Sequence, residues 1–139
     1  MPERKYHLAK VKYNLGVSTH LKETTGFTDW AVTALFYSAL HLIDAYLDGE
    51  HQLPKDERHP RKHSANAGPG NGGRGRNQLV QALLPSIRKE YRSLEEASRR
   101  ARYDMEVLGP DAYERLLNQY KKVDKCIRMM LMTQGTPAA

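Results

Sequence analysis

The stretch "WAVTALFYSALHLIDAYL", Trp30 to Leu47, is apolar on nearly every side and is the longest such run in the chain. A run of this length reads either as a membrane span or as the interior helix of a bundle. Thr33, Tyr37, His41 and Asp44 follow one another at spacings of four, four and three, so a helix places them in one polar stripe. Lipid would penalise His41 and Asp44 together, and the run is therefore read as a buried central helix. The stripe then faces a water-filled cleft or a partner subunit, or else Tyr37 and His41 are core residues hydrogen-bonded inside the fold.

The flanks set the ends of this helix. Thr28 is the expected N-cap, with Phe27 and Val32 as a hydrophobic staple and Asp29 near the positive helix end. Gly49 is the expected terminator. Upstream, Leu8, Val11, Leu15 and Leu21 form one apolar stripe on a first helix over about residues 4 to 22, which Gly26 ends.

Downstream, residues 49 to 76 have no apolar periodicity, and five of the ten glycines lie between Gly68 and Gly75. A loop of this length in a compact domain points to function or disorder. Its charge is lopsided: Lys55, Arg58, Arg61, Lys62, Arg74 and Arg76 face only Glu50, Asp56 and Glu57, a balance that suits phosphate.

After the loop, Val80, Leu84, Ile87, Tyr91, Leu94, Ser98 and Ala101 repeat at steps of four and three. Either a short helix ends at Leu83 or Leu84 and a new one starts with Pro85 in its first turn, or one helix kinks there. Arg88, Lys89, Arg92, Arg99, Arg100 and Arg102, interspersed with Glu90, Glu95 and Glu96, read as its solvated outer face. "GPDAYERLL" opens the last helix, with Asp111 as expected N-cap and Glu114 completing a capping box. Tyr113, Leu116, Leu117, Tyr120, Val123, Ile127, Met130 and Leu131 give that helix a broad apolar face. The expected fold is all-α, an antiparallel bundle of four to five helices with a long loop between the second and third. Residues 1–133 form a single helical domain and residues 134–139 a disordered tail.

Composition sets wider bounds. With 139 residues, one cysteine and a net charge of +6, the chain fits one soluble domain without a disulfide, biased toward polyanionic partners. "MPERKYHLAK" lacks the apolar core of a secretory signal, so a cytoplasmic location is expected and no membrane association. There is no phosphate-binding loop with its lysine, no dinucleotide fingerprint and no nucleophile elbow. His51, His59 and His63 share the loop but match no zinc-ligand spacing, and the only cysteine, Cys126, is remote, so no metal and no cofactor is expected.

The remaining pair is Arg58 and, after four intervening residues, His63. A histidine moves a proton near neutral pH, and an arginine stabilises the charge that builds on a phosphate under attack. Without a metal, the nucleophile comes from the substrate, and the 2′-hydroxyl of RNA is the candidate. His59 is a second proton-transfer or orienting group. Arg61, Lys62, Arg74 and Arg76 are expected to track the RNA backbone.

The helix "WAVTALFYSALHLIDAYL", the loop "RHPRKH" and the later "YRSLEEASRRARY", from about Asp29 to Tyr103, together resemble HEPN-domain proteins. The resemblance implies a dimeric, metal-independent endoribonuclease acting in defence or as the toxin of a toxin–antitoxin pair. Its signature of arginine, a polar residue and a spaced histidine maps onto Arg58, His59 and His63. It implies that two copies of the motif meet across a homodimer and cut RNA by 2′-hydroxyl attack, leaving a cyclic phosphate and a free 5′-hydroxyl, with an antitoxin or another protein as partner. The alternative is a non-catalytic helical module of the same kind that binds nucleic acid, a nucleotide ligand or a protein.

Overall fold

The computed structural model describes residues 4–25, 27–58, 74–104 and 108–134. The described residues are all-α. Helix α1 spans Arg4–His20 and closes in a wider turn over Leu21–Thr25; α2 spans Thr28–Asp48, α3 Lys55–Arg58, α4 Arg76–Leu83, α5 Arg88–Tyr103 and α6 Pro110–Thr133.

Helix α2 is the axis of the bundle, in contact with α1, α5 and α6. Among the described residues it alone has the length and apolarity of a membrane span, and 83% of that window is buried inside the protein. Its apolar surface is therefore spent on Val11 of α1, Tyr91 and Leu94 of α5, and Tyr113, Leu116, Tyr120, Val123 and Ile127 of α6, which join it in one core. Truncating any fully buried leucine here, such as Leu35 or Leu40, falls in the class of change that costs about 2–5 kcal/mol.

Hydrogen bonds fix the direction of each helix. The Arg4 backbone N–H donates to Asp48 at 2.8 Å, and Ser18 Oγ donates to the Ala31 carbonyl at 2.6 Å, so α1 and α2 run antiparallel. Ser38 Oγ meets Tyr120 Oη at 2.8 Å, and Gln134 Nε2 donates to the Tyr46 carbonyl at 2.9 Å, so α6 runs alongside α2 in the same sense. The short α5–α6 connection makes α5 antiparallel to both. The result is an up-down-up-down bundle of α1, α2, α5 and α6, with α3 and α4 between α2 and α5 in sequence.

Several local expectations change. The Ala31 N–H bonds the Phe27 carbonyl at 2.9 Å, so Phe27 is the N-cap of α2 and Thr28 lies one residue inside it. With Phe27 as the cap, Phe27 and Val32 no longer hold the two positions of a staple, and Phe27 is exposed while Val32 is buried. In α6 the Tyr113 N–H reaches the Gly109 carbonyl at 3.2 Å, which makes Gly109 the cap. Pro110 then occupies the first position, where its missing N–H costs nothing, and Asp111 stands in the first turn. Glu114 turns to Lys22 at 3.1 Å instead of closing a capping box. Of the two readings at Pro85, the first holds: α4 ends, Pro85–Ile87 forms a 3-10 turn, and α5 follows. Within the expected outer face of α5, Glu95 is buried, because its carboxylate accepts two contacts of 3.0 Å from Asn77 Nδ2. Gln134, assigned to the tail, caps α6 and is tied to Tyr46, which extends the fold past residue 133.

Gly49 ends α2 as expected, but with φ of −82°, so the left-handed conformation is not the reason for glycine. The reason is space. A Cβ there would run into the guanidinium of Arg4 and into Gln134 Oε1, whose mutual hydrogen bond of 2.6 Å closes the end of the bundle. Gly49→Ala is expected to lower unfolding free energy by about 1 kcal/mol, the value of one displaced hydrogen bond. Urea titration checks this, and the cost should shrink in an Arg4→Ala background, where the guanidinium is gone and Gln134 is released to move aside.

Candidate functional site

The polar stripe of α2 resolves residue by residue into contacts with other elements. Thr33 Oγ1 donates to the Asp29 carbonyl within the helix at 3.1 Å. Tyr37 Oη accepts from Arg102 of α5 at 2.8 Å. His41 Nδ1 lies 3.0 Å from His7 Nδ1 of α1. Asp44 accepts from Arg76 of α4 through Nε at 2.8 Å and through the terminal nitrogen at 3.1 Å. Tyr37 and His41 thus have protein partners, as the third of the readings open at the sequence level required, but both are half-buried and lie at the edge of the core.

The Asp44–Arg76 pair is the most deeply buried charge pair described, with side chains 8% and 3% exposed. Arg76 was expected to follow an RNA backbone. Its burial removes it from that role, since the Nε and terminal-nitrogen edge that would fork a phosphate already forks Asp44. Behind it, burial drives the hydroxyl pKa of Tyr91 far up, so that this ring stays neutral beside the pair.

Arg74 is also engaged. Its backbone N–H, Nε and a terminal nitrogen all donate to the buried carboxylate of Glu57, at 2.8, 2.9 and 3.1 Å. The contact joins α3 to the chain entering α4 and brings together the two ends of the segment 59–73. These donors hold the Glu57 carboxyl below its usual range. Half of the Arg74 side chain remains open to solvent, with 43% exposure.

Arg58 closes α3, a single turn inside the stretch expected to be loop. The Glu57 and Arg58 N–H groups both bond the Pro54 carbonyl at 3.0 Å, and Pro54 starts that turn without a donor of its own to lose. An Arg58 terminal nitrogen lies 3.3 Å from Nδ1 of His51 on the surface. Guanidinium only donates, so Nδ1 is the acceptor and a neutral His51 carries its proton on Nε2. His51 in turn lines an open cleft of about 390 Å³ with Tyr46, Glu50, Gln52, Met130 and Gln134. Burial and the Glu50 contact raise the Tyr46 hydroxyl to about 12, so it is a hydrogen-bond donor at neutral pH. His59, Arg61, Lys62 and His63 lie outside the described residues.

There are two further basic surfaces, one on α1 that was not singled out in the sequence and one on α5 that was expected to be a solvated face. Helix α1 carries Arg4, Lys5, Lys10 and Lys12 with no acidic residue from Arg4 to His20, and Lys10 Nζ sits 5.9 and 5.3 Å from the rings of the exposed Tyr6 and Tyr13. On α5, Arg88, Lys89 and Arg92 line a cleft of about 450 Å³ together with Pro85, Ser93 and Glu96. Their signal was present as spacing: Tyr6, Lys10 and Tyr13 share one helix face.

Two consequences are measurable. Arg76→Ala leaves Asp44 buried without its cation and is expected to cost roughly 3–5 kcal/mol in urea unfolding. For Glu57 the folded pKa is depressed below the 4.5 of an unperturbed carboxyl, so its stabilising contribution is complete above that value and lost as pH falls through the folded pKa. Melting temperature should therefore drop less steeply on acidification in Glu57→Gln than in the parent, with the difference confined below about pH 4.5. The chain matches no family model, no curated protein and no solved structure.

Proposed function

We propose that the chain is a metal-independent endoribonuclease of the HEPN type. The observation that carries this reading is the surface contact between Arg58 and His51 beside an open cleft, which sets an arginine next to a histidine. Arg58 stabilises the pentacovalent phosphate, and a histidine takes the proton of the attacking 2′-hydroxyl. The 2′-oxygen bond to phosphorus forms as the bond to the 5′-oxygen breaks, and the leaving oxygen collects a proton, giving a cyclic phosphate and a 5′-hydroxyl. His63 and His59 hold the proton-transfer roles in the resemblance; His51 joins them as a candidate once a phosphate draws Arg58 off its Nδ1 and leaves that nitrogen open to accept a proton. Lys10, Lys12 and the exposed Tyr6 and Tyr13 offer charge for phosphates and ring faces for bases. Pairing of two copies would bring a second arginine–histidine set to the substrate, and an inhibitor protein fits a toxin or defence setting.

A second reading has its own support. The α1 face and the α5 cleft are basic surfaces made without Arg58, and they suit a module that binds RNA and does not cut it. Purified chain incubated with varied RNAs in excess chelator separates the two. Turnover is expected, with cyclic-phosphate ends, a loss of at least about 100-fold in Arg58→Ala, and a similar loss in the variant of whichever histidine moves the proton. His51→Ala, His59→Ala and His63→Ala, each checked for retained helical circular dichroism, make that assignment. Salt-sensitive binding without cleavage by the parent chain would establish the binding module instead, and cleavage undiminished in all four variants would end the catalytic assignment.

A further inference from the structure

The His7–His41–Asp44 cluster is not used by the RNA reading, and its geometry is unusual for a core. Two imidazoles from different helices point the same nitrogen at each other, Nδ1 to Nδ1, at 3.0 Å. Asp44 stands one turn beyond His41 on the same face of α2 and adds a carboxylate oxygen, so that all three donor atoms lie within 4.8 Å of one another. We propose that His7, His41 and Asp44 form a site for one divalent first-row transition ion of the zinc class, held by two imidazole nitrogens and a carboxylate oxygen.

The donor set selects the ion. Two imidazoles and one carboxylate suit zinc, cobalt or nickel, whereas magnesium and calcium require mostly oxygen. An ion bonded to two nitrogens at about 2.0–2.1 Å with a tetrahedral angle sets them about 3.3 Å apart, a few tenths of an ångström from the separation seen here. Arg76 takes two of the roughly four acceptor directions of Asp44 and fixes its plane, leaving others for an ion. The Tyr6 ring stands edge-on to both imidazoles, at centroid distances of 5.6 and 6.3 Å, and His41 is only half-buried, so the cluster meets solvent at that ring. His7 is 7% exposed, which separates this cluster from surface histidines that collect ions adventitiously.

The site joins α1 to α2, and an ion there would act as a cross-brace between them. The full chain, stripped with chelator and dialysed, is titrated with cobalt and then zinc. One equivalent of cobalt is expected to produce the visible ligand-field band of a four-coordinate ion, one equivalent of zinc to displace it, and zinc to raise the melting temperature. His7→Gln and His41→Gln should each weaken binding at least about tenfold, while His20→Gln leaves it unchanged. Should a variant fail to fold, zinc titration of the parent chain followed through imidazole ¹⁵N shifts gives the same answer, because Nδ1 of His7 and of His41 must both move. Absence of saturable binding, or binding that survives both substitutions, would overturn the site and leave the two rings as a hydrogen-bonded pair. No RNA enters these measurements, so the site and the ribonuclease reading stand or fall separately.

Discussion

A carboxylate in the last third of an otherwise apolar helix has to be neutralised before that helix can be buried on every side. Asp44 meets this requirement through the two-point contact with Arg76, and the remainder of the architecture follows from it. An isolated carboxylate in such surroundings would cost several kcal/mol or pick up a proton. The pairing therefore obliges α4 to begin at Arg76, against α2, and Gln78 helps by reaching back to the Gly75 N–H at 2.8 Å. With α4 placed, Asn77 lies against Glu95 and so locates α5. One buried ion pair thus ties the end of the α2 core to the start of the second half of the chain.

The same logic repeats along α2. Its hydroxyls, rings and carboxylate are satisfied by different neighbours: Ser38 by Val11 and Tyr120, Tyr37 by Arg102, His41 by His7. An apolar helix tolerates many rotations against its neighbours, because dispersion and burial are non-directional. Hydrogen bonds at fixed heights on several faces remove that freedom. They specify the rotation and height of α1, α5 and α6 around a common axis, which the apolar contacts alone leave underdetermined.

This division explains what could be read in advance. All the helices but the single turn α3 were legible because burial has a period, and α2 to within a residue of its ends because Gly49 and the Phe27–Thr28 boundary interrupt that period. The caps of α2 and α6 were misplaced because Thr28 and Asp111 are good capping residues in isolation, while the first hydrogen-bonded turns close on Phe27 and Gly109. The fates of Arg74 and Arg76 were not legible. Their partners stand 17 and 32 residues away, and nothing in the local charge pattern distinguishes a cation committed to a buried carboxylate from one left for a phosphate. His7 and His41 are 34 residues apart on different helices, so no ligand spacing links them. Arg58 was singled out for chemistry and stands on the surface, but its described neighbour is His51, seven residues before it.

The Glu57–Arg74 contact bears on how this chain tolerates change. By fastening the residues that flank 59–73 to one another, it makes the closure of that segment a local matter, independent of what the segment contains. Between two held ends, the entropy of closing a loop grows in general only with the logarithm of its length, about 0.6 kcal/mol for each doubling. Insertions, deletions or a backbone nick between the two fastened ends would therefore perturb the bundle little, and that stretch can diverge in sequence and length while α2 and α4 stay where they are. A fold arranged in this way separates the residues that must be kept for stability from those free to be selected for recognition.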